Sequence, residues 1–107
     1  MIYENLFIRA DEKEVRRVLV EFAKQNKLVI EEGYGGNVVT FKPSGRRFLI
    51  FKYPKEMYYF NIIFLHPKDG VLQVIFRIRE SEYELGYKLY QELRSRFINV
   101  NDIKSKA

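Results

Sequence analysis

His66 is the only histidine of the chain and no cysteine is present, so a metal site or nucleophilic triad would have to be built almost entirely from carboxylates and hydroxyls. His66 stands directly before Pro67 in a stretch that reads as the end of a strand, and it has no second imidazole or thiol to work with. Glu31 and Glu32 are adjacent carboxylates, but on a strand neighbours point to opposite faces, which excludes a close acid–base pair. Gly33, Gly35 and Gly36 resemble a phosphate-cradling loop in composition alone. Such a loop leads from a strand into a helix, whereas these glycines lead into another strand. Asp11 and Ser81 are accounted for as helix caps and Asp69 as a turn residue. No nucleophile is left with a base, and no cofactor or metal is implied.

Charge offers a second kind of chemistry. The 107 residues carry a formal charge of +5. Residues 38–79 hold eight Lys and Arg against Glu56 and Asp69, a surplus of six that exceeds the charge of the whole chain. Within this stretch Lys42, Arg46, Arg47, Lys52, Lys55, Arg77 and Arg79 are candidate phosphate contacts. Tyr53, Tyr58 and Tyr59 are interleaved with them as candidate stacking platforms for single-stranded nucleic acid. Lys and Arg on strand edges also protect a sheet against edge pairing, which is the competing use of the same residues.

These side chains must be positioned by a single domain, since 107 residues are too few for two cores. Hydrophobic residues make up 47% of the chain, enough to fill a core without disulfide or metal staples. A helix is predicted from Asp11 to Asn26, opened by Asp11 with Glu14 three residues on. Val15, Val18, Leu19, Phe22 and Ala23 follow as one apolar stripe. A second helix is predicted from Ser81 to Ile98, with Ser81 and Glu84 as a capping box. Gly86, Tyr90, Leu93 and Phe97 line one side of it. Glycine costs about 1 kcal/mol against alanine inside a helix, so Gly86 on the apolar line predicts close backbone approach to a sheet.

Strands are predicted at Ile2–Arg9, Leu28–Glu32, Asn37–Lys42, Arg47–Tyr53, Met57–Leu65 and Val71–Arg79, separated by Gly, Pro, Asn and Asp. The loops are too short for crossover helices, so the last five strands are expected to form an antiparallel meander. The resulting class is α+β, in the order β-α-β-β-β-β-β-α, with a curved antiparallel sheet and both helices on one face. This plan is similar to that of TATA-binding-protein-like and helix-grip folds. An elaborated ferredoxin-like fold, with a short last strand at Val100–Ile103, is the alternative. The domain is expected to span residues 1–98, with 99–107 as a flexible tail.

Splitting the strands by parity gives Leu72, Val74, Phe76 and Ile78 as an inward set, while Met57–Leu65 is apolar on both sides. Such a strand needs a second layer, and a second copy of the chain on the open sheet face is one candidate. The functional expectation is therefore a noncatalytic binding domain, homodimeric through that face, with single-stranded nucleic acid as a partner. The alternatives are a small apolar ligand held between the C-terminal helix and the sheet, or a purely structural homodimer subunit. No apolar run reaches the length of a membrane span, and a cytoplasmic location is expected.

Overall fold

A computed structural model describes residues 1–43 and 58–100. Within them the chain forms β1 (Ile2–Arg9), α1 (Glu12–Gln25), β2 (Leu28–Gly33), β3 (Val38–Pro43), β4 (Phe60–Lys68), β5 (Val71–Ile78), α2 (Tyr83–Arg96) and β6 (Ile98–Asn99). Short 3-10 turns, Tyr34–Gly36 and Glu80–Glu82, precede β3 and α2. The strands make one antiparallel sheet in the order β2-β3-β4-β5-β1-β6. The class is thus α+β, with two helices and six strands among the described residues.

α1 follows from its sequence. Asp11 is extended and its carboxylate accepts from the Lys13 amide at 3.2 Å. Val15, Val18, Leu19, Phe22 and Ala23 are all buried. At the far end Lys27 takes up a left-handed conformation, φ 55°, the usual way to stop a helix but one normally given to glycine.

Even-numbered β1 residues face the helices together with Leu72, Val74, Phe76 and Ile78 of β5, the predicted inward set. Phe60, Ile62 and Phe64 of β4, and Val39 and Phe41 of β3, complete that layer. Both helices bury their apolar sides in the same core, so they share one face of the sheet. Phe41 and Phe60 stack at 4.5 Å, with the Phe22 ring edge-on to each. Gly86 lies against β5 as its position on the apolar line requires: a Cβ there would stand 2.8 Å from three carbons of Ile78. Leu89 and Leu93 are completely buried in the same interval between α2 and the sheet.

The structure corrects three of the predictions. β3 is hydrogen-bonded directly to β4, where an unbroken five-strand meander would put the strand predicted over Arg47–Tyr53. That predicted strand lies outside the described residues. Ser81 does not cap α2: it sits inside the 3-10 turn, whose Glu82 amide bonds to the Arg79 carbonyl at 2.9 Å. The helix begins two residues later with no side-chain cap, because the turn already absorbs amides that a cap would serve. α2 also stops at Arg96, with Phe97 extended and Ile98–Asn99 turned into a strand beside β1. The short last strand thus starts two residues before the one predicted at Val100–Ile103.

The β4–β5 hairpin closes on Asp69-Gly70, with Gly70 at φ 77°. A register shift between Leu65 and Lys68 accommodates His66-Pro67, since proline cannot donate to a regular ladder.

Candidate functional site

Because one face of the sheet is filled by the helices, the chemistry available to a partner sits on the other. Cross-strand partners share a face, so the register assembles a row from five strands: Tyr3, Arg77, Asn61, Thr40 and Glu31. The next row toward the β4–β5 hairpin is Asn5, Ile75, Ile63 and Val38, followed by Phe7, Gln73 and Leu65. The Gln73 amide donates to Asn5 Oδ1 at 3.0 Å across the β1–β5 pair.

The first row is unusual in its satisfaction of polar groups. The Arg77 guanidinium lies over the Tyr3 ring, 5.9 Å from its centroid, and the ring is 57% exposed. Asn61 is only 8% exposed although it points away from the core. Its Oδ1, and Nε of the opposing Arg77, are buried with no hydrogen-bond partner. A buried polar atom left unpaired costs about 1–3 kcal/mol, so two facing each other across adjacent strands form a local weakness of the fold. Chemically they are an acceptor and a donor side by side, next to an exposed aromatic ring.

The predicted site residues separate into four groups. Arg77 belongs to this row. Arg79 lies over the Tyr58 ring at 4.6 Å, at the end of β5, and Tyr59 precedes β4 with its amide bonded to the Phe41 carbonyl at 2.9 Å. Lys42 faces the same way but is ion-paired to Glu31 and only 15% exposed, so its charge is largely compensated. Arg46, Arg47, Lys52, Tyr53 and Lys55 lie outside the described residues. Tyr3 and Asn61 were not singled out from the sequence. Their signal is their odd numbering on β1 and β4, and it becomes readable only once the register sets both beside Arg77.

Elsewhere the titratable groups serve the fold. Glu31 and Glu32 do point to opposite faces, Glu31 toward Lys42 and Glu32 toward Arg16. Arg16 joins α1 to the β2–β3 turn. It meets Glu12 at 2.9 Å and Glu32 at 2.6 Å, donates to the Gly36 carbonyl and covers the Phe64 ring at 5.0 Å. His66 stands 3.1 Å from Glu12, a surface pair between the hairpin and the start of α1. Among the described residues no three His, Asp or Glu side chains are grouped to hold a metal ion, and no helix is long and apolar enough to cross a membrane.

No protein-family model matches this chain, and no curated protein sequence is significantly similar to it.

Proposed function

We propose that this chain is a noncatalytic, cytoplasmic binding domain that holds single-stranded nucleic acid across the outward face of its sheet. The observation that carries the reading is the Tyr3–Arg77–Asn61 row, where an exposed ring adjoins a donor and an acceptor left unpaired in the protein. A nucleotide supplies what each lacks: a base to stack on the ring, and base-edge or phosphate atoms for the polar pair. Arg79 extends the cationic line, and Arg46, Arg47, Lys52 and Lys55 belong to the same basic stretch of sequence. The reading keeps the curved, TATA-binding-protein-like or helix-grip-like plan as its architecture. An apolar ligand under α2 is less favoured, because Gly86, Leu89 and Leu93 occupy that interval.

The test is a titration of fluorescein-labelled oligo-dT and oligo-U at two salt concentrations. Binding is expected at low salt and is expected to weaken as counterions compete. Tyr3→Ala should reduce affinity at least fivefold, since stacking contributes about 1–3 kcal/mol per base. Arg77→Met should reduce it and flatten the salt dependence. Absence of binding at low salt, or binding that ignores both substitutions, refutes the reading. Leu65, 44% exposed on this face beside half-buried Ile63 and Ile75, favours self-association as a second reading. Sedimentation at micromolar concentration, with and without oligonucleotide, separates the two.

A further inference from the structure

Asn61 and Arg77 are direct partners across the β4–β5 ladder, so their side chains leave the sheet about 4.5–5.5 Å apart at Cβ on the outward face. The two atoms left over are opposite in kind: Asn61 Oδ1 only accepts, and Arg77 Nε has a single hydrogen to donate. Each is closed to solvent, and neither bonds the other. Thr40 flanks Asn61 on β3, yet its hydroxyl does not satisfy Oδ1 either. The pair therefore calls for one small group that donates to Oδ1 and accepts from Nε together.

The parts of a nucleotide differ in how well they answer that call. A phosphate diester carries acceptors only, so it would serve Nε and leave Oδ1 facing further negative oxygen. A base edge carries both kinds of group, but on a rigid plane that needs an opening as wide as the ring, and the base is already engaged by the Tyr3 face in the reading above. The ribose 2′-hydroxyl is a donor and an acceptor in one atom. It can give its hydrogen to Oδ1 and take one from Nε at once, and it is the smallest of the three.

Entry to the pair depends on Arg77. No hydrogen bond or ion pair holds its guanidinium among the described residues; its contact is the exposed Tyr3 ring, 5.9 Å away. A long side chain held only by a ring face can shift as a sugar enters, without breaking a bond. We propose, on the strength of the nucleic-acid reading, that the Asn61–Arg77 pair selects RNA over DNA by closing on one ribose 2′-hydroxyl beside the base stacked on Tyr3. The terminal nitrogens of Arg77 then remain for the neighbouring phosphate. Deoxyribose brings no such group and leaves Oδ1 and Nε unpaired in the complex, which is where the discrimination arises.

Fluorescence anisotropy with labelled oligo-U, oligo-dU and 2′-fluoro oligo-U of equal length tests this. The fluoro sugar keeps a ribose-like pucker but has no hydrogen to donate, so it separates the hydroxyl from the shape of the strand. Oligo-U is expected to bind roughly fivefold more tightly than either of the others. Asn61→Val should bring oligo-U down to the level of oligo-dU, whose own affinity should hold. Tyr3→Ala should weaken all three alike and keep their ratio, and a thermal melt checks that each variant is folded. Equal affinity for oligo-U and oligo-dU, with binding still sensitive to salt and to Tyr3→Ala, would overturn the ribose selectivity and leave the nucleic-acid reading standing. A fluoro strand as tight as oligo-U, or an RNA preference that survives Asn61→Val, would overturn it in the same way. Failure of all three strands to bind at low salt would remove the nucleic-acid reading and the selectivity with it.

Discussion

Substituting Gly86 tests how α2 is seated. In an exposed helix, glycine to alanine stabilises by about 1 kcal/mol through backbone entropy. At Gly86 the added Cβ would lie 2.8 Å from Cγ1, Cγ2 and Cδ1 of Ile78, well inside the ~3.5–4.0 Å at which carbon atoms sit comfortably. Ile78 is completely buried and the backbone carries the helix, so the contact must be relieved by moving α2 or by forcing Ile78 off its rotamer. Overpacking costs about 1–3 kcal/mol, and with three carbons at 2.8 Å the upper part of that range, about 2–3 kcal/mol, applies and outweighs the propensity gain. Gly86→Ala is therefore expected to destabilise by about 1–2 kcal/mol, read as a lower midpoint in urea with an unchanged slope. In an Ile78→Ala background all three carbons are gone and the same substitution should stabilise by about 1 kcal/mol, partly filling the space left behind. The cycle should show a coupling of roughly 2–3 kcal/mol. Ile78→Val, which removes only Cδ1, should fall between and serves if Ile78→Ala is too unstable to measure. A stabilised Gly86→Ala in the otherwise unchanged protein would mean that α2 does not contact β5 through its backbone.

Three further substitutions probe separate parts of the fold. Asp11→Ala should cost about 1 kcal/mol by freeing the Lys13 amide, whereas Ser81→Ala should be within ~0.5 kcal/mol of neutral in the same thermal melt. Arg16→Met keeps an unbranched side chain beside Phe64 but drops the guanidinium over its ring and the bonds to Glu12, Glu32 and the Gly36 carbonyl. It should destabilise by about 1–2 kcal/mol, less so in high salt, and speed amide exchange in the β2–β3 turn; unchanged exchange there would contradict the role given to Arg16. Asn61→Val removes an unpaired buried carbonyl from a strand and should raise the thermal midpoint while weakening oligonucleotide binding, a combination that neither a purely structural Asn61 nor an exposed one would produce.

The parts of this structure legible in the sequence are those set by local spacing. The stripe Val15, Val18, Leu19, Phe22 and Ala23 fixes the buried side of α1 by helical period alone. The alternation Leu72, Val74, Phe76 and Ile78 fixes the inward side of β5 in the same way. Gly86 was readable because an unfavourable residue on an apolar line needs a reason, and close approach is the simplest. What escaped depends on pairing between distant segments. β3 and β4 meet across the 16 residues between Pro43 and Phe60, and no local pattern says that they should. The Ser81–Glu84 spacing is a sound local signal, but the path from β5 into α2 runs through a turn that spends the amides first. The Tyr3–Arg77 contact joins residues 74 positions apart in the chain, so it exists only through the β1–β5 register.

That same register explains why polar strain collects on one face. On the helix side β1 to β5 each contribute apolar residues to a shared core, and errors in pairing would bury charge or expose phenylalanine. On the outward side the constraint is weaker, and residues can be retained for what they bind at a modest loss of stability. Asn61 and Arg77 occupy central strands, β4 and β5, where a valine or isoleucine would pack against Ile63 and Ile75 without any unpaired atom. Keeping an amide and a guanidinium there instead costs the domain on the order of 2 kcal/mol or more. Against a total stability of about 5–15 kcal/mol that is a large fraction, which a partner completing both groups would offset. The face opposite the helices is thus where the fold is least optimised for itself, which is the physical ground for seeking its ligand there.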